Sequence, residues 1–114
     1  MAWTIKIKHI RPNTGVDWYR VESDSFLSYS DISHVESTYR DTGKLISATH
    51  SLSENGLEMT KIFIHKNEDT KNEYVNDLVI QGYLYDRDVY NAANNIITSC
   101  HMGESHHDFI ERAD

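Results

Sequence analysis

Histidine is the residue type in this sequence with the greatest capacity for chemistry. A metal site needs three or four ligands on converging faces, commonly histidines joined by Asp or Glu. The histidines are spread along the chain, and their one dense group lies near the C-terminal end. We therefore interpret them as sheet and surface residues, and we predict no metal and no other cofactor. They are His9, His34, His50, His65, His101, His106 and His107.

The other reactive groups match no catalytic motif. Cys100 is the single cysteine, so the chain has neither an internal disulfide nor a CxxC pair, and we interpret it as a buried structural thiol. The run Asp86-Arg87-Asp88 is typical of a solvated helix face. No phosphate-binding glycine loop, GxSxG or HExxH occurs in the sequence. We therefore assign no catalytic residue and favour a protein that is not an enzyme.

A set of aromatic residues could line a pocket against a sheet. Aromatic side chains more often form a core or an interface, and this is our first interpretation of the set. Tyr85 is nevertheless kept as a candidate for the wall of a pocket. The set consists of Trp18, Tyr19, Tyr83, Tyr85 and Tyr90.

The strongest structural signal lies in residues 44–66, which predict two β-strands joined at Glu54-Asn55-Gly56. A two-residue turn would mix polar and apolar side chains on both faces of this hairpin. A three-residue turn with Gly56 left-handed instead builds one apolar face, so we predict that register. Its apolar face, expected under the helices, carries Ile46, Ala48, Ile62 and Ile64.

The opposite face of the hairpin would carry Leu45 and Phe63 among polar residues. Both side chains are too apolar for a face that simply meets water, so we expect this face to contact a partner. If the protein is a monomer, the C-terminal tail would cover the face instead. The predicted interface residues are Leu45, Phe63, Lys6, Lys8, Phe109 and Ile110. In the same register His50 and His65 point to opposite faces, and we predict that they share no metal.

Periodicity along the rest of the chain predicts two more strands and two helices. The order β-α-β-β-α-β is typical of the ferredoxin-like α+β fold, a four-stranded antiparallel sheet with both helices on one face. We expect a single domain over residues 1–102, followed by a polar tail over residues 103–114. The elements are a strand at 3–10, a helix at 23–39, the hairpin, a helix at 70–93 divided at Gly82, and a strand at 96–102.

Charge and composition exclude several kinds of partner. The chain of 114 residues has a net charge of −7, which argues against binding to nucleic acid or to an anionic membrane. The N-terminal MAWTIKIKHI alternates with lysine and predicts neither a signal peptide nor a membrane span. A single cysteine fits a reducing compartment. We therefore expect a soluble protein made in the cytoplasm, with no nucleic-acid or membrane partner.

One family pattern runs from TIKIKHIRPNTGVDWY through YRDTGKLISATHSLSENGLEMTKIFIHK to YNAANNI and includes the turn S-x-[DN]-G-L. In these segments the chain resembles the dimeric α+β barrel of the antibiotic-biosynthesis-monooxygenase type. The resemblance implies that two protomers close their sheets into one barrel. It also implies oxidation of aromatic or haem substrates in a pocket between helices and sheet, lined by Asn, Trp or His. The pocket candidates are Trp18, His65, Asn91 and, from the aromatic set, Tyr85.

Three classes of function are compatible with these observations. The segments RPN, TYRDTGK and NGLEMT together resemble small proteins encoded by tailed phages of marine bacteria. We therefore expect first a structural subunit of a larger particle, such as a tailed-phage virion, that associates with copies of itself and with other virion proteins. The alternatives are a cofactor-independent or haem-binding monooxygenase-like enzyme and a small-ligand binding module.

Overall fold

The structure is a computed structural model that describes residues 2–19 and 33–104. Along the chain, the elements are β1 (Trp3–Ile10), α1 (Ser33–Asp41), β2 (Leu45–Leu52), β3 (Glu58–His65), α2 (Glu68–Ile80), α3 (Tyr83–Ala93) and β4 (Ile97–Glu104). The strands form one antiparallel sheet in the order β2-β3-β1-β4. This order confirms the predicted ferredoxin-like α+β fold.

The helical part of the chain after the hairpin is divided at Gly82, as predicted. Gly82 has φ of 75°, a left-handed conformation that glycine adopts at little cost and that ends one helix before the next begins. The strand β4 continues to Glu104, two residues beyond its predicted end at residue 102. The predicted start of the first helix and the tail residues Phe109 and Ile110 lie outside the described residues. Within the described chain, no helix has the length and apolar character needed to cross a membrane.

The core lies between the sheet and the helices. Aromatic rings dominate it: Tyr74 on α2 packs against Tyr39 on α1 and Phe63 on β3, with ring centroids 5.3 and 5.8 Å apart. Each such contact adds to the free energy gained by burying the rings. The buried cluster consists of Ile5, Tyr39, Leu45, Phe63, Tyr74, Leu78 and Tyr83.

The predicted register of the hairpin is wrong. β2 pairs Ala48 with Phe63, whereas the predicted three-residue turn would pair Ala48 with Ile62. The turn itself is longer, because Ser53 donates its N–H to the carbonyl of Glu58 at 2.9 Å and four residues lie between them. Arg11, from outside the hairpin, donates from Nε to the carbonyl of Gly56 at 2.7 Å. A long-range contact therefore helps to hold this turn, and the local apolar pattern could not indicate it.

The two faces of the hairpin are consequently exchanged relative to the prediction. Leu45 and Phe63 are buried under the helices, not on the opposite face. Ile62 and Ile64 lie on the other face, and Ile46 is 59% exposed. A β-bulge between Leu45 and Ser47 leaves Ile46 unpaired, so Leu45 and Ala48 both face the helices.

The same correction applies to two histidines. His50 pairs with Lys61 on the helix-covered face, where its ring lies 6.1 Å from that of Phe63. His65 also lies on that face and is fully buried. The prediction that His50 and His65 point to opposite faces is therefore wrong, although their sharing no metal stays a prediction.

Candidate functional site

A cleft lies between the sheet and the helices α2 and α3. It contains two cavities, and both are lined by Lys61 and Arg87. The larger, called here the apolar cavity, has a volume of about 100 Å³ and walls of mainly aliphatic and aromatic side chains. The smaller, called here the polar end, has a volume of about 10 Å³. The polar end is lined by His9, Trp18, Tyr19, Met59, Lys61, Arg87 and Asn91.

Sheet register and helix periodicity together place the polar side chains of this site. His9 on β1 pairs with Met59, so Lys61, two residues further along β3, lies on the same face of the sheet. Arg87 and Asn91 are four residues apart on α3 and therefore lie on one face of that helix. Two neighbouring strands, β1 and β3, and the helix α3 thus place basic and amide side chains around the polar end.

His9 is held by a hydrogen bond between adjacent strands. Its Nδ1 lies 2.7 Å from Oγ1 of Thr98, the residue that pairs with it on β4. The Asn91 side chain donates to the same hydroxyl oxygen at 3.2 Å. The Thr98 hydroxyl can donate and can also accept twice, so either ring tautomer of His9 satisfies this bond, and in both tautomers Nε2 is the nitrogen left without a partner in it. His9 Nε2 is buried and has no hydrogen-bond partner within residues 2–19 and 33–104.

The charges around His9 are positive. Burial, followed by Lys61 and Arg87, lowers the pKa of His9 from 6.5 to about 2, so the ring is neutral at physiological pH. Arg87 donates to the Asp88 carboxylate at 3.2 Å. The Asp88 side chain is 65% exposed whereas that of Arg87 is 12% exposed, so water screens the carboxylate more than the guanidinium. Lys61 is buried and has interaction partners of its own.

The segment that follows β1 is fixed against the polar end by Arg11 and Trp18. The guanidinium carbon of Arg11 lies 4.5 Å from the centroid of the Trp18 ring. Arg11 also donates to the carbonyl of Val16 at 2.9 Å. Trp18 is buried with Met59 and Ile96 in a second apolar cluster. This wall of the polar end is therefore held by cation–π and hydrogen-bond contacts as well as by apolar packing.

The structure brings together two of the four predicted pocket residues. Trp18 and Asn91 both line the polar end. His65 lies elsewhere in the core, with its ring centroid 5.0 Å from that of Tyr74, and it lines neither cavity of the cleft.

Tyr85 is 74% exposed and is likewise absent from both linings. Tyr83 and Tyr90 are seven residues apart on α3 and both contact the Tyr19 ring, with centroids 5.6 and 5.5 Å from it. Tyr85 is two residues after Tyr83 and therefore faces another side of the helix.

Three residues of the site were missed in the sequence. In the alternation of β1, His9 follows Trp3, Ile5 and Ile7 on one side of the strand, and this was the available signal. Lys61 shares its side of β3 with Phe63, so the wrong hairpin register placed it on the face away from the helices. Arg87 was interpreted as part of a solvated surface, since it lies between two acidic residues. The predicted buried thiol of Cys100 is also wrong: the residue is exposed on β4, although it lines the apolar cavity.

The predicted interface residues fall into three groups. Leu45 and Phe63 belong to the core, and Phe109 and Ile110 lie outside the described residues. Lys6 and Lys8 lie on the face of the sheet away from the helices, called here the open face. Lys6 is buried, and Lys8 forms an ion pair of 3.0 Å with Glu58. The isoleucines of the open face are Ile10, Ile62, Ile64 and Ile97.

No arrangement of three His, Cys, Asp or Glu side chains that could hold a metal ion occurs in the described part of the chain. No protein-family model and no curated protein matches the sequence.

Three solved structures share the fold at low sequence identity. Two are described as dimeric ferredoxin-like proteins from an uncultured marine organism. One has a TM-score of 0.53 and 10% identity and covers 90% of this chain and 91% of its own. The other has a TM-score of 0.50 and 11% identity, with coverages of 93% and 98%. The third is protein Atu4242 from Agrobacterium tumefaciens, with a TM-score of 0.51, 13% identity and coverages of 90% and 93%.

Proposed function

We propose that this protein is a binding module that holds a small molecule in the cleft between its sheet and the helices α2 and α3. The observation that carries the proposal is His9 Nε2, a buried polar atom beside a cavity with no partner among the described residues. Leaving such a group without a hydrogen bond costs about 1–3 kcal/mol. A bound molecule that forms a hydrogen bond with Nε2 would offset the cost.

The protonation states of the cleft favour binding over catalysis. A general base works best with a pKa near the pH at which the enzyme operates, and the pKa of His9 is lowered to about 2. Burial raises the pKa of Cys100, so its sulfur is a thiol and not the thiolate that attacks substrates. Lys61, Arg87 and Asn91 can donate hydrogen bonds in the cleft, and the first two also supply positive charge. These capacities suit recognition of a ligand.

A second candidate function, self-association, is favoured by the open face. Ile10 and Ile97 pair with each other at the ends of β1 and β4 and are exposed. Two of the similar structures are described as dimeric. Exposed apolar groups on a sheet are commonly buried against a copy of the same surface in a two-fold dimer. We therefore propose a homodimer formed at the end of the open face that carries Ile10 and Ile97, since Thr4 and Lys6 on the same face are already buried within the single chain. Assembly into a virion and monooxygenase activity stay predictions.

A matched pair of variants tests ligand binding in the cleft. Val75→Phe places a larger side chain in the wall of the apolar cavity, whereas Val79→Phe makes the same change at an exposed position one turn later on α2. A library of small molecules is screened against the full chain by ligand-observed NMR. We expect compounds whose binding is lost in Val75→Phe and kept in Val79→Phe. The absence of any such compound, with both variants folded by circular dichroism, would contradict the proposal.

A further inference from the structure

We infer that the molecule held in the cleft is a small neutral alcohol, with an apolar body in the apolar cavity and one hydroxyl group beside His9 at the polar end. This inference rests on the proposed function and narrows it to one class of ligand. Lys61 and Arg87 line both cavities, so the two spaces adjoin at these side chains. A single molecule would extend from the larger space into the smaller one.

The polar end limits the polar group of the ligand to the size of a water molecule. Its volume is about 10 Å³. A space of roughly 10–15 Å³ is the least that holds one water. A hydroxyl oxygen is as large as a water oxygen, whereas a carboxylate, an amide or a phosphate carries several heavy atoms. The polar end therefore admits a hydroxyl group and excludes the larger groups.

The unpartnered nitrogen of His9 is also suited to a hydroxyl group. His9 is 2% exposed, and its Nε2 has no hydrogen-bond partner in the described chain. The bond between Nδ1 and Thr98 is compatible with either ring tautomer, so Nε2 is a donor in one tautomer and an acceptor in the other. A hydroxyl group can both donate and accept, so it satisfies Nε2 in either case. A ketone or ether oxygen would satisfy only the tautomer with a proton on Nε2.

The charges around the polar end favour a neutral ligand. Burial, Lys61 and Arg87 lower the pKa of His9 to about 2, so its ring is neutral at physiological pH. Arg87 is paired with Asp88 at 3.2 Å, and Lys61 has interaction partners within the chain. These cations therefore require no charged ligand. A charged group would also lose its hydration in a space too small to retain water around it, which is unfavourable.

The apolar cavity limits the body of the ligand. Its volume is about 100 Å³, and residues such as Phe63, Leu78 and Tyr83 form its walls. An engineered apolar cavity of about 150 Å³ binds benzene in another protein. The body is therefore no larger than one six-membered ring or a short aliphatic chain. Cys100 is exposed and Met102 is 49% exposed, and both line this cavity, so the ligand would enter beside β4.

Three probes with the same phenyl ring separate the hydroxyl group from the apolar body and from charge. They are phenol, toluene and benzoate, and their binding to the full chain is measured by NMR titration at neutral pH. We expect phenol to bind at least about threefold more tightly than toluene and at least about tenfold more tightly than benzoate. In a cavity without a partner for the hydroxyl group, toluene would bind more tightly than phenol, since burying an unbonded hydroxyl is unfavourable.

A variant then assigns the preference to His9. In His9→Met, we expect the preference for phenol over toluene to be lost while the affinity for toluene is kept. His101→Met, at an exposed position on β4, is the control and should leave both affinities unchanged. If His9→Met does not fold, the ¹⁵N resonance of His9 Nε2 in the unaltered protein provides a second measurement. Its chemical shift should move more on addition of phenol than of toluene, and equal movements would overturn the inference.

The results distinguish failure of this inference from failure of the proposed function. A preference for toluene or benzoate over phenol, with binding lost in Val75→Phe, would overturn the alcohol while supporting binding in the cleft. If none of the three probes binds, the compounds of the library that are sensitive to Val75→Phe decide. Neutral alcohols among them would support the inference, and compounds of other classes alone would overturn it. If neither the probes nor the library yield a compound with that sensitivity, both proposals fail.

Discussion

His9 on β1 and Thr98 on β4 are paired directly across the sheet, and their side chains are joined by a hydrogen bond of 2.7 Å between Nδ1 and Oγ1. This bond fixes the orientation of the imidazole. It also determines which ring nitrogen is left for the cleft. The edge strand β4 therefore contributes to the candidate site although none of its residues lines the polar end.

Removing the Thr98 hydroxyl should destabilise the protein through His9. In Thr98→Val the shape of the side chain is kept, but the buried His9 Nδ1 loses its partner. We expect a decrease of about 1–3 kcal/mol in the free energy of unfolding, measured in urea. Thr98→Ser retains the hydroxyl and should cost less than Thr98→Val. Equal effects of the two substitutions would show that the hydrogen bond contributes nothing measurable.

Substituting alanine for single side chains of the hairpin should distinguish its two possible registers. Phe63→Ala deletes a ring buried under the helices, and we expect it to cost about 3–5 kcal/mol of unfolding free energy. Ile46→Ala changes an exposed residue in the bulge, and we expect a cost within about 0.5 kcal/mol. Both are measured by denaturant unfolding. A larger cost for Ile46→Ala than for Phe63→Ala would restore the register that the sequence pattern favoured.

The buried histidine His65 should make stability depend on pH. Burial and, to a lesser extent, Lys71 lower its pKa from 6.5 to about 4. Between these values the unfolded chain binds a proton that the folded chain does not. The stabilising contribution is therefore complete above pH 6.5 and is lost as the pH falls towards 4, by up to about 1.4 kcal/mol per pH unit.

His65→Phe should remove this dependence. Between about pH 7.5 and about pH 5, we expect the variant to lose about 1–2 kcal/mol less unfolding free energy than the unaltered protein. His101→Phe, at an exposed position on β4, is the control and should retain the original dependence. The measurement is urea unfolding at each pH. Parallel pH profiles for His65→Phe and the unaltered protein would contradict the shift in pKa.

Self-association through the open face can be tested at its exposed edge. Ile97→Asp introduces a charge where the proposed dimer buries an isoleucine, so the sedimentation mass should move towards that of a monomer. Ile80→Asp makes the same change at a similarly exposed position on α2 and should leave the mass unchanged. A dimer that persists in Ile97→Asp, or an unaltered protein that sediments as a monomer, would exclude this interface. Phe63 is unsuitable for the test because it belongs to the core.

Local patterns in the sequence were sufficient to predict the order and type of the elements and therefore the fold. Alternation in β1 and helical spacing after the hairpin depend on contacts between neighbours in the chain, so a pattern can indicate them. Gly82 likewise marked the division between α2 and α3, since a left-handed residue interrupts a helix.

The tertiary structure decided which side of each strand forms the core and hence where the site lies. A period of two indicates that Lys61 and Phe63 share a face, but it does not indicate which face the helices cover. That choice depended on the bulge at Ile46, on the long-range contact between Arg11 and Gly56, and on the tyrosines that the helices bring to Phe63. These interactions join residues far apart in the chain, and for that reason Lys61 and Arg87 became neighbours of His9 only in the folded protein.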